Sequence, residues 1–169
     1  MKKNNALDYP LIVFISIVYL VIYVIQYTDG VFPKNLYFPQ LMLPAALFSG
    51  MFLGDRVGAV FGFFIGTAVD AVAADTICYN GIFMLLAGYL GGVLVQFLIN
   101  NNFRASLIVS SISTFLYYFG LWVINGFDVP TLTVCYIPAF FSTVFFSVVL
   151  YLLLIFLFKF RKKQLQKKN

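Results

Sequence analysis

The chain has 169 residues, of which 62% are hydrophobic and 10% are charged, and its formal net charge is +5. An ordinary soluble domain carries roughly 25% charged residues, so a soluble fold of this size could not cover its own surface. We therefore expect a bilayer to be the solvent for most of the chain. The basic residues sit toward the two ends, with hydrophobic segments between them, which argues against nucleic-acid binding.

The composition also argues against catalytic and metal chemistry. The chain has no His, and its acidic residues are all Asp. Its two cysteines, Cys78 and Cys135, form no CxxC pair, whereas a zinc site usually takes four Cys or His ligands. Intramembrane proteases and lipid transferases need paired carboxylates, a Ser/His pair or metal ligands. The sequence therefore predicts a protein that is not an enzyme and that holds no cofactor or metal.

Six hydrophobic segments are candidates to cross a bilayer, which takes about 20 mainly apolar residues each. Short polar or Gly/Pro-rich breaks separate them, as expected of turns. We expect one all-α, polytopic membrane helix bundle that forms a single domain, 1–169, and ends in a basic tail, 159–169. The predicted transmembrane helices are about 10–27, 36–53, 57–74, 79–99, 103–124 and 132–158.

The second segment contains Pro39, Gln40 and Pro44. Pro39 suits a first helical turn, but Pro44 removes a backbone hydrogen bond and is expected to kink a helix. A re-entrant segment at this place would leave five transmembrane helices and would put the basic tail on the opposite side from Lys2 and Lys3.

Charge placement favours six crossings, because short cytoplasmic loops collect Lys and Arg. With six crossings and a cytoplasmic N-terminus, ten of the eleven basic residues lie inside and only Lys34 lies outside. This predicts that both termini are cytoplasmic. Cys78 and Cys135 then fall near the outer face, and the sequence leaves open whether they form a disulfide.

Glycines recur at helical spacing in the third and fourth predicted helices. They are Gly58, Gly62 and Gly66, followed by Gly81, Gly88 and Gly92. Small residues four apart allow two helices to approach closely inside a membrane, where van der Waals contact replaces the missing hydrophobic drive. The partner of this surface is either another helix of the same bundle or a helix of a second protein.

Asp70 is the only acidic residue well inside a predicted transmembrane helix. A carboxylate in hydrocarbon costs several kcal/mol, about 2.5–3.5 on insertion scales, so it should face the bundle interior or an aqueous cavity. Two interpretations remain open. Asp70 is either a structural hydrogen-bonding group, for example one that caps the outer turn, or part of a functional site.

The fifth predicted helix carries four hydroxyl groups on one stripe, at spacings of 4, 3 and 4. They belong to Ser106, Ser110, Ser113 and Tyr117. Such a stripe is typical of hydrogen bonding between helices, and it could also line a polar ligand pocket. A hydrogen bond from this stripe to Asp70 is a further hypothesis.

The stretch from Gly58 to Gly92 resembles a known family. It contains Gly58-x-x-x-Gly62-Phe63-x-x-Gly66-x-x-x-Asp70, then Asn80-Gly81, then Leu86-Ala87-Gly88-Tyr89-Leu90-Gly91-Gly92. This pattern is similar to that of MreD, the rod-shape-determining membrane protein of bacteria. The resemblance implies a non-enzymatic scaffold of the cell-elongation and peptidoglycan-synthesis machinery in the bacterial cytoplasmic membrane. It also implies as partners the bitopic protein MreC, the filament protein MreB, RodA and a class B penicillin-binding protein.

A second family has a similar length, about six transmembrane helices and a related Gly-rich stretch that leads to an Asp. It comprises the substrate-binding S components of energy-coupling-factor vitamin transporters, and the two families could share an architecture. S components usually dock to their transport partner through small residues on the first helix. Here the first helix offers only Ser16 as a small residue, which counts against the transporter.

Overall fold

The computed structural model describes residues 9–28, 39–73, 78–97, 103–127 and 129–166. These residues form an all-helical bundle, so the predicted helix-bundle class is confirmed. Counted by crossings of the bundle, the described chain forms six helices, the last of which is built from three consecutive segments. The elements are α1 (Tyr9–Tyr27), α2 (Met42–Leu53), α3 (Asp55–Ala73), α4 (Tyr79–Phe97), α5 (Phe103–Ile124), α6 (Val129–Thr131), the π-helical segment Leu132–Tyr136, and α7 (Ile137–Gln166).

Three of these helices are long and apolar enough to cross a membrane. They cover Tyr79–Gln96, Phe103–Ile124 and Val129–Lys159, and the last of them has 31 residues. Two shorter apolar helices accompany them, at Ile12–Tyr27 and Met42–Leu53. The surface agrees with a lipid environment, because large apolar side chains such as Phe64 and Phe156 are 67% and 68% exposed. A soluble monomer rarely leaves so much contiguous apolar surface open.

The helices run alternately up and down, which gives the bundle two distinct ends. At one end, called here the Asp70 end, α1 and α3 finish and α2 and α4 begin. At the other end, called the Asp55 end, a single residue, Gly54, connects α2 to α3. Gly54 has φ of 104° and donates its N–H to the Gly50 carbonyl, a helix-ending conformation that glycine adopts without strain.

α2 is the central helix and touches α1, α3, α4, α5 and α7. It is apolar all round, and every residue from Met42 to Met51 is buried, as expected of a helix enclosed on all sides. It begins at Met42, whereas the sequence predicted a helix from about residue 36. Pro44 explains the later start: as the third helical residue it needs no N–H, because the first four N–H groups of a helix have no intrahelical partner. Pro44 therefore produces no kink.

The π-helical segment precedes Pro138, the second residue of α7. The N–H of Ile137 bonds the carbonyl of Leu132, five residues back. A proline ring clashes with the carbonyl four residues earlier in an α-helix, and a widened turn makes room for it. The helix consequently continues through a position that would otherwise break it. It begins at Val129 and reaches Gln166, which extends it beyond the predicted 132–158.

Candidate functional site

The predicted glycines bring three helices of this chain into backbone contact, in what we call the glycine seam. A methyl group added at Gly58 would overlap the backbones of Gly50 on α2 and Gly88 on α4. A methyl group at Gly88 would in turn overlap the Gly58 carbonyl and crowd the Ala46 carbonyl. α2, α3 and α4 thus meet at a point where a side chain larger than hydrogen does not fit.

The seam continues along α3 and α4 in both directions. Toward the Asp70 end, Gly62 lies against the backbone of Met84, and Gly66 lies against Asn80 and Gly81. Toward the Asp55 end, Gly92 lies against the backbone of Asp55. All six predicted glycines are buried. A second protein could reach them only if α3 and α4 separated.

Asp70 caps the N-terminus of α4. Its Oδ1 accepts hydrogen bonds from the backbone N–H of Asn80 at 3.1 Å and from the Asn80 side-chain amide at 2.8 Å. Its Oδ2 accepts the backbone N–H of Gly81 at 2.7 Å. Asn80 and Gly81 are the second and third residues of α4, whose N–H groups have no intrahelical partner. The carboxylate also opposes the positive end of the α4 dipole.

A chain of hydrogen bonds extends from Asp70 across the bundle. The Tyr117 hydroxyl donates to Oδ1 of Asn80 and accepts from the Gln40 side-chain amide at 3.0 Å. The Gln26 amide donates to Oε1 of Gln40. Oε1 of Gln26 accepts the backbone N–H of Leu41, just before α2, at 3.0 Å. We call Asp70, Asn80, Tyr117, Gln40 and Gln26 the Asp70 network.

A branch of this network reaches the last helix. The Gln40 backbone N–H donates to Oγ1 of Thr143 on α7 at 3.0 Å. The Thr143 hydroxyl itself donates to the Ala139 carbonyl at 2.7 Å, so Tyr118, 3.1 Å away, is the donor in their contact. With this branch the network joins α1, α3, α4, α5, α7 and the residues that lead into α2. All of these polar side chains are buried.

The hydroxyl stripe on α5 differs from the predicted one in a single member. Ser106, Ser110 and Tyr117 are buried, whereas Ser113 is only half-buried and Thr114 is buried instead. Asp70 makes no direct hydrogen bond to this stripe among the described residues. It bonds Asn80 on α4, and Asn80 in turn accepts from the Tyr117 hydroxyl. The Ser110 hydroxyl is buried without a hydrogen-bond partner among the described residues.

The sequence did not single out Gln26, Asn80 or Thr143 as members of a polar site, and it treated Gln40 only as a weakness in a helix. Their common signal was a polar residue at or near the end of an apolar segment. That signal does not identify the hydrogen-bond partners, because several polar residues lie near helix ends and more than one pairing of them is possible.

The Asp70 network is better suited to holding the helices together than to binding or converting a substrate. Both oxygens of Asp70 are occupied by N–H donors, and Tyr117 is engaged by two amides. Two cavities formed by described residues lie elsewhere: one between α1 and α3, the other between α1, α2 and α7. Neither is lined by Asp70 or Ser110. Cys78 and Cys135 are free thiols, so the structure contains no disulfide between them.

These features define the chain as a helical membrane protein that hydrogen-bonds most of its described buried polar side chains within the bundle and presents an apolar surface to lipid. A protein-family model described as rod shape-determining protein MreD matches residues 7–161. The chain belongs to that family, which confirms the resemblance noted in the glycine and Asp70 pattern and gives it a role in rod shape determination. No curated protein and no solved structure matches the chain.

Proposed function

We propose that the protein is a non-enzymatic scaffold of the bacterial cell-elongation machinery, which binds partner membrane proteins through its transmembrane helices. The observation that supports this most directly is the state of Asp70: both oxygens of its carboxylate accept hydrogen bonds from the N-terminal turn of α4, which suits a structural cap better than a substrate-binding group. The resemblance supplies the partners, namely an MreC-like bitopic protein, MreB, RodA and a class B penicillin-binding protein.

A vitamin-binding S component is the alternative that the sequence left open, and nothing favours it. A ligand pocket below the Asp70 end would need polar side chains that point into open space. In this protein the Gln40, Asn80 and Tyr117 side chains bond one another there. The two cavities described above, which lie between α1 and α3 and between α1, α2 and α7, have almost entirely apolar walls.

The proposed orientation places the Asp55 end in the cytoplasm, with the protein passing six times through the cytoplasmic membrane. Arg56 near the start of α3, Arg104 near the start of α5 and Lys159 in α7 all belong to that end. Short cytoplasmic loops of membrane proteins are enriched in Lys and Arg. Both termini are then cytoplasmic, and the Asp70 network lies near the outer face.

Depletion of the protein in its source bacterium tests this function. We expect rods to become round, with vitamin uptake unchanged, and a plasmid copy of the wild-type gene to restore the rods. Cells that keep their shape and lose uptake of a vitamin would instead identify a transporter component. Cells that keep both would contradict a role in elongation.

A further inference from the structure

An apolar groove runs between α1 and α3 and has a volume of about 490 Å³. α1 touches the rest of the bundle mainly at α2, so the space on its α3 side is not closed by helix packing. Leu20 on α1 and Val60 and Phe64 on α3 form the walls, and all three are exposed. Ser16 and Tyr19 on α1 also line the groove and are its hydroxyl-bearing residues together with Tyr23.

Tyr19 differs from the other two hydroxyl residues of this groove because its hydroxyl is unsatisfied. Ser16 donates to the Ile12 carbonyl at 2.9 Å, and Tyr23 donates to the Ala68 carbonyl at 3.0 Å. Tyr19 is 3% exposed, and its hydroxyl has no hydrogen-bond partner in the part of the chain that the structure describes. A buried hydroxyl without a partner is destabilising, because the hydrogen bonds that it made to water are not replaced.

The depth of Tyr19 decides what could satisfy this hydroxyl. It is the eleventh residue of the 19-residue α1, so it lies about 15 Å from one helix end and about 12 Å from the other. That is near the middle of a hydrocarbon core of about 30 Å. A lipid acyl chain offers no donor or acceptor at this depth. A neighbouring transmembrane helix does, through a Ser, Thr, Asn or Gln side chain.

We propose that the groove between α1 and α3 receives one transmembrane helix of a partner protein, and that a hydroxyl or amide side chain at the middle of that helix bonds the Tyr19 hydroxyl. The rest of the partner helix is apolar, to match Leu20, Val60 and Phe64. Because the Tyr19 hydroxyl is buried, this bond requires α1 to shift slightly away from α3 as the helix enters. This inference rests on the proposed scaffold function, and it places the partner away from the glycine seam.

Photo-crosslinking in growing cells of the source bacterium tests the location. A photoreactive amino acid replaces Leu20 in the groove or, as a matched control, Phe145 on the exposed face of α7. We expect Leu20 to crosslink to a membrane protein within a transmembrane segment that has a Ser, Thr, Asn or Gln near its middle. Phe145 should give no such product.

The other outcomes overturn the proposal in distinct ways. Only lipid adducts at Leu20 would assign the groove to lipid, and a crosslink to a second copy of this chain would assign it to a homodimer. Protein crosslinks at Phe145 and none at Leu20 would refute the groove and leave the scaffold function standing. That function depends on the depletion phenotype and fails only if cell shape is unaffected.

Tyr19→Phe tests the hydrogen bond, because it keeps the ring and removes the hydroxyl. We expect the Leu20 crosslink to fall about threefold or more, which corresponds to the lower end of hydrogen bonds between membrane helices. The melting temperature of the isolated protein in detergent should be unchanged or higher, since an unsatisfied group is removed. Tyr89→Phe, on the exposed face of α4, is the control and should change neither. A lower melting temperature with an unchanged crosslink would show that the hydroxyl serves the fold alone.

Discussion

At the scale of single residues, Asp70 shows how a membrane protein keeps a carboxylate inside a helix bundle. Two backbone N–H groups and one amide occupy its oxygens, and the α4 N-terminus supplies favourable electrostatics. The usual N-cap is a residue at the start of its own helix. Here the side chain comes from the preceding helix, so the cap also fixes α3 relative to α4.

Asp70→Asn should destabilise the protein by about 1–3 kcal/mol, because the NH2 that replaces one carboxylate oxygen faces N–H donors and cannot accept from them. The measurement is the midpoint of thermal unfolding in detergent, compared with wild type. Asp55→Asn is the matched control: Asp55 is partly exposed in the first turn of α3 and accepts one long bond from Gln96 at 3.2 Å. If both variants unfold at the same temperature, the cap makes no special contribution.

Tyr117→Phe should also lower the unfolding midpoint, because removal of one hydroxyl leaves Oδ1 of Asn80 and the side-chain amide N–H of Gln40 without their partner in a buried site. The expected loss is about 1–3 kcal/mol. Tyr118→Phe removes only the end of the branch at Thr143, so its effect should be smaller. Equal effects would mean that the network does not depend on its central hydroxyl.

The need of Asp70 for a polar partner could be predicted from its position alone, and capping was one of the two interpretations that followed. The identity of its partner could not. Asn80 follows Asp70 by only ten residues. Tyr117, however, is 37 residues from Asn80 along the chain, and Gln40 is 77 residues from Tyr117. Such pairs depend on how the helices are arranged in three dimensions, which periodicity within one helix does not reveal.

At the scale of helices, the glycine seam sets the distance between α2, α3 and α4. The spacing of Gly58, Gly62 and Gly66 predicted a surface for close approach, since only the absence of side chains permits it. The sequence left open whose helix would use that surface. Gly50, which the six predicted positions did not include, meets Gly58 from α2 and makes the contact three-sided.

Gly58→Ala should prevent normal packing, because its methyl group would overlap the backbones of Gly50 and Gly88. Overpacking a well-filled core typically costs about 1–3 kcal/mol, and rigid backbone atoms cannot move aside as side chains do. We expect a large loss of monodisperse protein after detergent extraction. Ala71→Val, which enlarges an exposed side chain on the same helix, should extract like wild type. Normal yield of Gly58→Ala would contradict the seam.

At the scale of the whole molecule, the chain divides into parts that are joined to different degrees. α2, α3 and α4 pack closely along the seam, α5 packs mainly on α7, and α1 is attached mainly through α2. The Asp70 network links all of these parts at one end.

The proposed orientation makes a prediction for labelling. Cys78 is an exposed free thiol next to the start of α4, at the Asp70 end. In a Cys135→Ser background, a membrane-impermeant maleimide should therefore label Cys78 in spheroplasts. A single cysteine placed by Lys159→Cys, with Cys78→Ser, should react only after the membrane is opened. The reverse pattern would show that the Asp55 end faces outward.

The continuous helix from Val129 to Lys159 has a further consequence for the surrounding bilayer. Its 31 residues extend about 46 Å at 1.5 Å per residue, whereas the hydrocarbon core is about 30 Å thick. The buried α2 has only 12 residues and extends about 18 Å. A helix with this much excess length tilts or thickens the lipid beside it. We therefore expect bilayers of long-chain lipids to favour a more upright final helix than bilayers of short-chain lipids do.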